Sequence, residues 1–303
     1  MDVRHLRLFM TVVDRGSITA AAEELGLSQP ALSKHLSRLE AELETKLLVR
    51  LPRGVRPSRT GQILFDYAKS IDASYRSALR QIDGAKEAQI AEITIGSGYF
   101  WLTGFLPKAV ALLVGEHPDI RVNIETGVPT RLKDKLLSGD LDLVFGPVAL
   151  SGANQNMITS ESLIRTDSHV LVRQGHPAQD GKDKSIKDLL ELSWALPNGT
   201  FVRSLFDQLF QAHGVPAPTP TVDVNDVSCS LEVVARSDLA TLATSLTPEG
   251  QAWTQFDHLK CSALSGFRET GILRRKFGVI PPMAEALCEK LRIVSRDHRD
   301  AVR

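Results

Sequence analysis

The stretch SITAAAEELGLSQPALSKHLSRLEAELE, residues 17–44, decides how the N-terminal part of this chain folds. Its first half is alanine-rich with Leu25 as an apolar anchor, and it stops at Gly26, a residue able to turn left-handed and close a helix. Only Leu27 intervenes before Ser28, which caps the next helix. Pro30 then falls in a first turn, where its missing N–H has no helical partner to lose. Two short helices joined by a tight glycine turn make a helix-turn-helix. Upstream, Leu6, Phe9, Met10 and Val13 recur at helical spacing until Gly16-Ser17 interrupts them, which predicts one more helix in front.

The helix from Gln29 to about Glu44 has two faces. Leu32, Leu36, Leu39 and Leu43 form an inward stripe, while Gln29, Ser33, Lys34, Ser37 and Arg38 project from the other side. Glutamine pairs with adenine, serine tolerates several bases, and lysine or arginine reaches guanine or phosphate, so the polar face suits a DNA major groove. On an isolated helix the same face would read as solvated surface; its context argues otherwise. Downstream, LLVRLPRGVRPSRTG (residues 47–61) holds a short apolar strand, an Arg53-Gly54 turn and a basic return through Pro57. The whole chain balances 36 Lys and Arg against 36 Asp and Glu, yet Lys46, Arg50, Arg53, Arg56 and Arg59 follow one another with no acid among them. A hairpin wing carrying such cations beside a recognition helix would straddle phosphates.

From Gly61 to about Ala88 no proline occurs, and Leu64, Ala68, Ile71, Tyr75, Ala78, Ile82 and Ala85 follow in alternating steps of four and three. That spacing is a coiled-coil seam, on a helix of roughly 40 Å at 1.5 Å per residue. It predicts a homodimer through this linker. The alternative, one amphipathic helix lying on its own domain, usually has a wider apolar stripe.

After Gln89, β-rich runs alternate with helical ones: EITIGS, RVNIETG and DLDLVFG, then SHVLVRQ, WALP, TVDVND and LATLATSL. The chain returns through ETGILRRKF to a last helix from Pro282. Such alternation makes mostly parallel, helix-flanked sheets, here two lobes joined by crossing strands around a cleft. The expected organisation is α/β overall. Residues 1–60 are read as an all-α winged helix-turn-helix, 61–89 as the linker helix and 90–303 as a two-lobed unit, with lobe I at 90–162 and 267–303 and lobe II at 163–266.

Ligands in open α/β sheets gather at strand C-terminal ends and helix N-termini. Strand ends therefore nominate Ser97, Gly98, Tyr99 and Trp101, then Pro129 and Thr130, then Gly146 and Pro147. Across the cleft they nominate Thr200, Phe201 and Arg203 at a helix start, with Asn225 and Asp226 after TVDVND. Hydroxyls and amides there could hold a carboxylate, while Tyr99, Trp101 at the rim and Phe201 could flank an apolar or ring-shaped body. Each aromatic also reads as packing, and Arg203 as a salt bridge on a helix surface.

The three cysteines, Cys229, Cys261 and Cys288, are far apart with no C-x-x-C pair, so neither a disulfide framework nor a zinc site is suggested. They read as ordinary buried thiols in a reducing cytoplasm; a redox sensor using Cys229 and Cys261 is the alternative. No run approaches the length of a membrane span and MDVRHLRLF is no signal peptide, so a cytoplasmic location is expected. There is no G-x-S-x-G elbow, P-loop or H-E-x-x-H, and the eight histidines lack ligand spacing. No enzyme activity, cofactor or metal is therefore expected. A purely architectural DNA-binding protein would leave the two-lobed half without a role.

The segment from residue 3 to 65 resembles the DNA-binding domain of LysR-type transcriptional regulators. The family pattern A-A-x-x-L-x-x-S-Q-P-A-L-S stands as Ala21, Ala22, Leu25, Ser28, Gln29, Pro30, Ala31, Leu32 and Ser33. The resemblance implies that Gln29, Pro30, Ser33 and Lys34 face base edges, with Arg53 of the wing near the minor groove. The expected DNA-facing set is completed by Ser37, Arg38, Arg50, Arg56 and Ser58. Where the family commonly writes L-T-x-A-G, this chain has Pro57, Ser58, Arg59, Thr60 and Gly61, and Ser58 replaces threonine as helix cap. The second half is similar, more loosely, to the family's effector domain, whose fold is that of periplasmic solute-binding proteins. Its markers are Phe105 to Pro107, SGDLDLVFG and LPNGTFVR, while Ser237, Asp238 and Leu239 replace a frequent G-x-G. The resemblance implies a regulator controlled by a small organic effector bound between the lobes, for which the cleft residues above suggest a carboxylate or an aromatic compound. It also implies a homotetramer on double-stranded DNA at an imperfect inverted repeat, with RNA polymerase a candidate partner.

Overall fold

Three capped helices build the head: α1 (Val3–Arg15), α2 (Ile18–Glu24) and α3 (Gln29–Glu42). Asp2, Ser17 and Ser28 each accept a hydrogen bond from a first-turn amide that has no helical partner. Phe9, Ala21, Leu32 and Leu39 pack into one core. A hairpin of β1 (Leu48–Arg50) and β2 (Val55–Pro57) follows, pairing Leu48 with Pro57. Its return strand is pinned to the head where the Val55 N–H donates to the Gly16 carbonyl at 2.8 Å. The computed structural model describes residues 2–87, 91–149, 155–198, 201–245, 255–264 and 268–301.

Helix α4 (Arg59–Glu87) starts under Ser58, whose hydroxyl accepts from the Gly61 N–H at 2.9 Å and donates to the Lys46 carbonyl at 2.6 Å. The sequence assigned Leu64 and Ala68 to an intermolecular seam; they instead pack with Phe65 onto the head's own core. A period near 3.5 is obeyed by both kinds of apolar face, so spacing alone did not separate them. The outward apolar stripe is Ile63, Tyr67, Ile71, Tyr75 and Ile82, each between 38% and 53% exposed. Ala85 lies outside the described side chains.

The middle of α4 docks on the next domain. Buried Asp72 pairs with Arg7 of α1 and, at 2.7 Å, with Arg76, which also reaches Asp140 at 3.6 Å. Gly139, with φ of 81°, lies so close that a Cβ there would stand 2.6 Å from the Ala73 Cα.

Lobe I contains β3 (Glu92–Ser97), α5 (Tyr99–Leu102), α6 (Phe105–Glu116), β4 (Arg121–Thr126), α7 (Pro129–Ser138) and β5 (Leu143–Pro147). The long strand β6 (Ile158–Arg173) leads out of it. Lobe II holds α8 (Ile186–Leu190), β7 (Ser193–Pro197), α9 (Phe201–Ala212), β8 (Val222–Val224), α10 (Val227–Ala235), β9 (Leu239–Ser245) and β10 (Phe256–Leu259). Strand β11 (Arg268–Arg275) returns to lobe I, where α11 (Pro282–Ala301) covers the sheet. The strand order is β4-β3-β5-β11-β6-β9-β7-β8, with β10 on β6. As the alternation implied, β3 is parallel to β4 and β5, and β7 to β8 and β9; the crossing strands run antiparallel to their neighbours. The expected lobe boundary at 162/163 falls inside β6.

Strands β6 and β11 carry a bulge: Thr270 pairs with Ile164 and Gly271 with Ser162. Gly271 is required there, because a Cβ would fall onto the Glu161 carbonyl oxygen. Arg292 of α11 then clamps the Glu161 side chain through two bonds of 2.8 Å, which holds that carboxyl below its usual range. Replacing Gly271 with Ala should overpack this crossing and cost about 1–3 kcal/mol of stability. Urea unfolding monitored by circular dichroism should show a lower midpoint; an unchanged midpoint would mean that the two strands do not meet this closely.

Candidate functional site

Two regions gather the residues singled out above. In the head, the first turn of α3 projects from the fold: Gln29, Pro30, Lys34, Ser37 and Arg38 are exposed and Ser33 partly so. Gln29 donates through Nε2 to Ser33 Oγ at 3.2 Å, so the two side chains most suited to base edges lie one helical turn apart and orient each other. Arg50, Arg53 and Arg56 are exposed on the wing. Lys46, at the base of the hairpin, is occupied by Glu40 of α3 at 2.7 Å, and the same carboxylate accepts the Leu47 N–H at 2.9 Å. Ser58 is half-buried and its hydroxyl is bonded to the Lys46 carbonyl, the Gly61 N–H and Thr60 Oγ1, so it acts as a cap and not as an outward-facing group.

The second region is a cavity of about 520 Å³ between the lobes. Gly98, Tyr99, Pro129, Gly146, Pro147, Asn225 and Asp226 line it, as the strand-end rule expected. Tyr99 leaves lobe I on the short helix α5 and packs against the lobe II cluster around Leu171, Leu231 and Phe256, so it spans the cleft. Asp226 caps α10 by accepting the Cys229 N–H at 2.8 Å. Ser97 is buried beneath the lining, with its hydroxyl on the Gly98 carbonyl at 3.1 Å. Thr130 is exposed and does not line the cavity. Arg203 does not line it either; it takes the salt-bridge alternative, with Asp207 at 3.2 Å and Asp223 at 3.6 Å. Thr200 and the Phe201 side chain lie outside the described residues.

The expected place of Trp101 at the rim is corrected. It is among the lining residues but its side chain is fully buried in the wall, with Phe105 and Phe145 at centroid distances of 5.5 and 6.0 Å. Its Nε1–H donates to Thr270 Oγ1 at 2.8 Å. The turn of α5 swings the indole under the sheet, a direction that position after a strand does not reveal. Strand-end reasoning also passed over Thr126, Asn198, Val202, Ser228 and Arg268, all in the lining. Thr126, the last residue of β4, was within reach of the same rule; Arg268 needed the register of β11.

The expectation of three buried thiols holds only for Cys288, since Cys229 is exposed and Cys261 is half-buried. Burial raises the pKa of Cys261 and pushes that of Cys288 up to about 12, which keeps both protonated. Asp238, in the Ser237-Asp238-Leu239 turn, takes Arg173 at 2.6 Å. Among the described residues no three His, Cys, Asp or Glu side chains are placed to hold a metal ion, and no helix is long and apolar enough to cross a membrane.

A recognition helix and basic wing at one end, and a ligand-sized cleft between two lobes at the other, are the parts of a DNA-binding regulator that senses a small molecule. Residues 3–62 match the model of the bacterial regulatory helix-turn-helix protein of the lysR family, and residues 86–295 that of the LysR substrate binding domain. This chain belongs to the LysR family of transcriptional regulators. It is similar to the regulator BenM of Acinetobacter baylyi, 30% identical over 82% of this chain and 81% of the relative. It is also similar to GalR of Pseudomonas putida, 28% identical over 97% of this chain and 74% of the relative. The crystal structure of full-length BenM superposes with a TM-score of 0.54 at 26% identity, covering 99% of this chain and 98% of that one.

Trp101→Phe should leave Thr270 Oγ1 without its buried donor and cost about 1–3 kcal/mol. Thermal unfolding measures the loss. A variant as stable as the parent would show that the indole bond contributes nothing.

Proposed function

We propose that this regulator grips an imperfect inverted repeat in double-stranded DNA with two heads paired through α4. A small organic compound in the lobe cleft would then set how the heads are presented. The observation that carries the sensing role is the cavity itself: it is walled by both lobes, and Tyr99 already reaches from one to the other. A ligand that binds one separation of the lobes better than another shifts the population between them, and a differential of about 1–3 kcal/mol is enough to regulate. The DNA-facing residues are Gln29, Pro30, Ser33, Lys34, Ser37 and Arg38 on α3, with Arg50, Arg53 and Arg56 on the wing. Pairs of dimers would form a homotetramer, RNA polymerase would be met at the promoter, and the protein would work in the cytoplasm beside its DNA. The domain division is 1–60, 61–89 and 90–303, with the lobes parting inside β6 and just before β11.

The outward stripe on α4 supports dimerisation, because so many exposed apolar side chains on one helix need a cover. Ile71→Glu should place two carboxylates in that seam at a cost of several kcal/mol. Sedimentation should show smaller species and DNA affinity should fall with them. An unchanged oligomer would remove α4 as the dimer interface.

On DNA, Ser33→Ala should flatten the preference among sequences, by about 1–3 kcal/mol for each well-formed hydrogen bond to a base edge that disappears. Arg53→Ala should instead weaken all sequences alike and make log affinity fall less steeply with log salt. Equal weakening on specific and random DNA for Ser33→Ala would take that residue out of base reading.

A further inference from the structure

The polar stripe of α3 ends in an acid. Gln29, Ser33, Ser37 and Glu40 follow at steps of four, four and three, so all of them stand on one side of the helix. The first three suit a DNA groove, whereas a carboxylate on that side would meet phosphates of its own sign. Glu40 escapes this conflict because the wing engages it. Its Oε1 accepts the Leu47 N–H at 2.9 Å and the Leu48 N–H at 3.3 Å, and its Oε2 takes the Lys46 ammonium at 2.7 Å. Only 13% of the Glu40 side chain is exposed against 83% of Lys46, so the acid is the built-in half of the pair and the lysine covers it. Burial acts to raise the pKa of this carboxyl; the lysine and the two amides outweigh it and hold the group below its usual range.

The other edge of the same short segment is held by the start of α4. The Lys46 carbonyl accepts from Ser58 Oγ at 2.6 Å and from Thr60 Oγ1 at 3.0 Å, and the Leu47 carbonyl accepts the Ser58 N–H at 2.8 Å. Residues 46–48 are where the chain enters β1 and so the wing. Their carbonyls are tied to α4 and their amides to α3 through Glu40. The hairpin itself has three residue pairs, one of them with Pro57, which has no N–H to give, so strand pairing alone holds it weakly.

We propose that Glu40 is a positioning residue for DNA recognition: it bonds the wing to the recognition helix, so that Arg50, Arg53 and Arg56 meet the backbone in register with Gln29 and Ser33 on the bases. This rests on the reading of α3 and the wing as DNA-facing and adds the residue that sets one against the other. Glu40 itself touches no DNA.

The test uses the full chain and two duplexes of equal length, one enriched from a random library by the parent protein and one of random sequence. Affinity is followed across a range of salt for the parent, Glu40→Ala, Glu40→Gln, Arg53→Ala and the combination of Glu40→Ala with Arg53→Ala, each checked for folding by circular dichroism. Removing an acid near phosphates would by itself tighten binding, while releasing the wing weakens it, so the two effects differ in sign. Glu40→Ala should bind the enriched duplex about ten-fold or more weakly, and its log affinity should fall less steeply with log salt as phosphate contacts drop out. Glu40→Gln keeps a carbonyl oxygen for the two amides and should recover most of that loss. In the combined variant the losses should amount to less than their product, because an arginine on a displaced wing has little left to lose. A Glu40→Ala protein that binds as tightly as the parent, or more tightly, overturns the proposal, and so do losses that multiply in full. Should Glu40→Ala not fold, Glu40→Asp replaces it: the charge stays and the reach shortens, so the same loss and shallower slope are expected, and an unchanged slope overturns the proposal. Arg53→Ala separates this proposal from the reading beneath it. If Arg53→Ala weakens binding and Glu40→Ala does not, Glu40 alone loses its role; if Arg53→Ala is silent, the wing falls as a DNA contact and the proposal falls with it.

Discussion

The close meeting of β6 and β11 at Glu161 and Gly271 is the constraint on which the C-terminal half depends. Both lobes hang from this antiparallel pair: β6 runs beside β11 in lobe I and beside β9 and β10 in lobe II. With a side chain at Gly271 the strands would part, and with them the floor of the cleft, since Thr166, Arg268 and Thr270 lie just beyond the bulge. The Arg292 clamp on Glu161 ties the last helix to the same spot. Sequence thus acts here through a missing atom and a bidentate ion pair, and the result is a closely fitted pair of strands shared by both lobes.

The head follows a different logic. Its core is a handful of large apolar side chains, and its precision comes from caps: Ser17 and Ser28 start two helices, while Ser58 starts a third and holds the hairpin base. Each satisfies an amide that would otherwise stand unbonded at a helix end. Because Val55 is hydrogen-bonded to the end of α1, the wing arginines keep a set position relative to α3. That rigidity matters for reading DNA, where groups misplaced by an ångström lose their partners.

Legibility differed between the parts for physical reasons. Helix starts were visible because capping needs particular residues at particular places: Ser28 with Pro30 announced α3, and Asp226 begins α10 where TVDVND ends. Strands were visible through their apolar runs, and part of the cleft lining, such as Gly98, Pro129, Gly146 and Asn225, through the rule that ligands gather at strand ends. What stayed hidden depended on three dimensions. Leu64 and Ala68 have the same spacing whether they face a second chain or their own, and only the packing of the head decides. The burial of Trp101 follows from the short turn of α5, and the direction of Arg268 from a register set by a partner 102 residues away in sequence.

Helix α4 is shared property: Phe65 and Ala68 complete the head, while Ala73 and Ser74 fill the hollows left by Gly139 and Gly278 on lobe I. Its Tyr67 ring also lies over Phe277, with centroids 5.2 Å apart. A truncated protein beginning after this helix would keep both lobes and the cleft, yet it would open to water a groove shaped for another backbone and uncover an aromatic ring. Such a fragment acquires a sticky face that the intact protein never shows. Its self-association would therefore belong to the cut and not to the regulator.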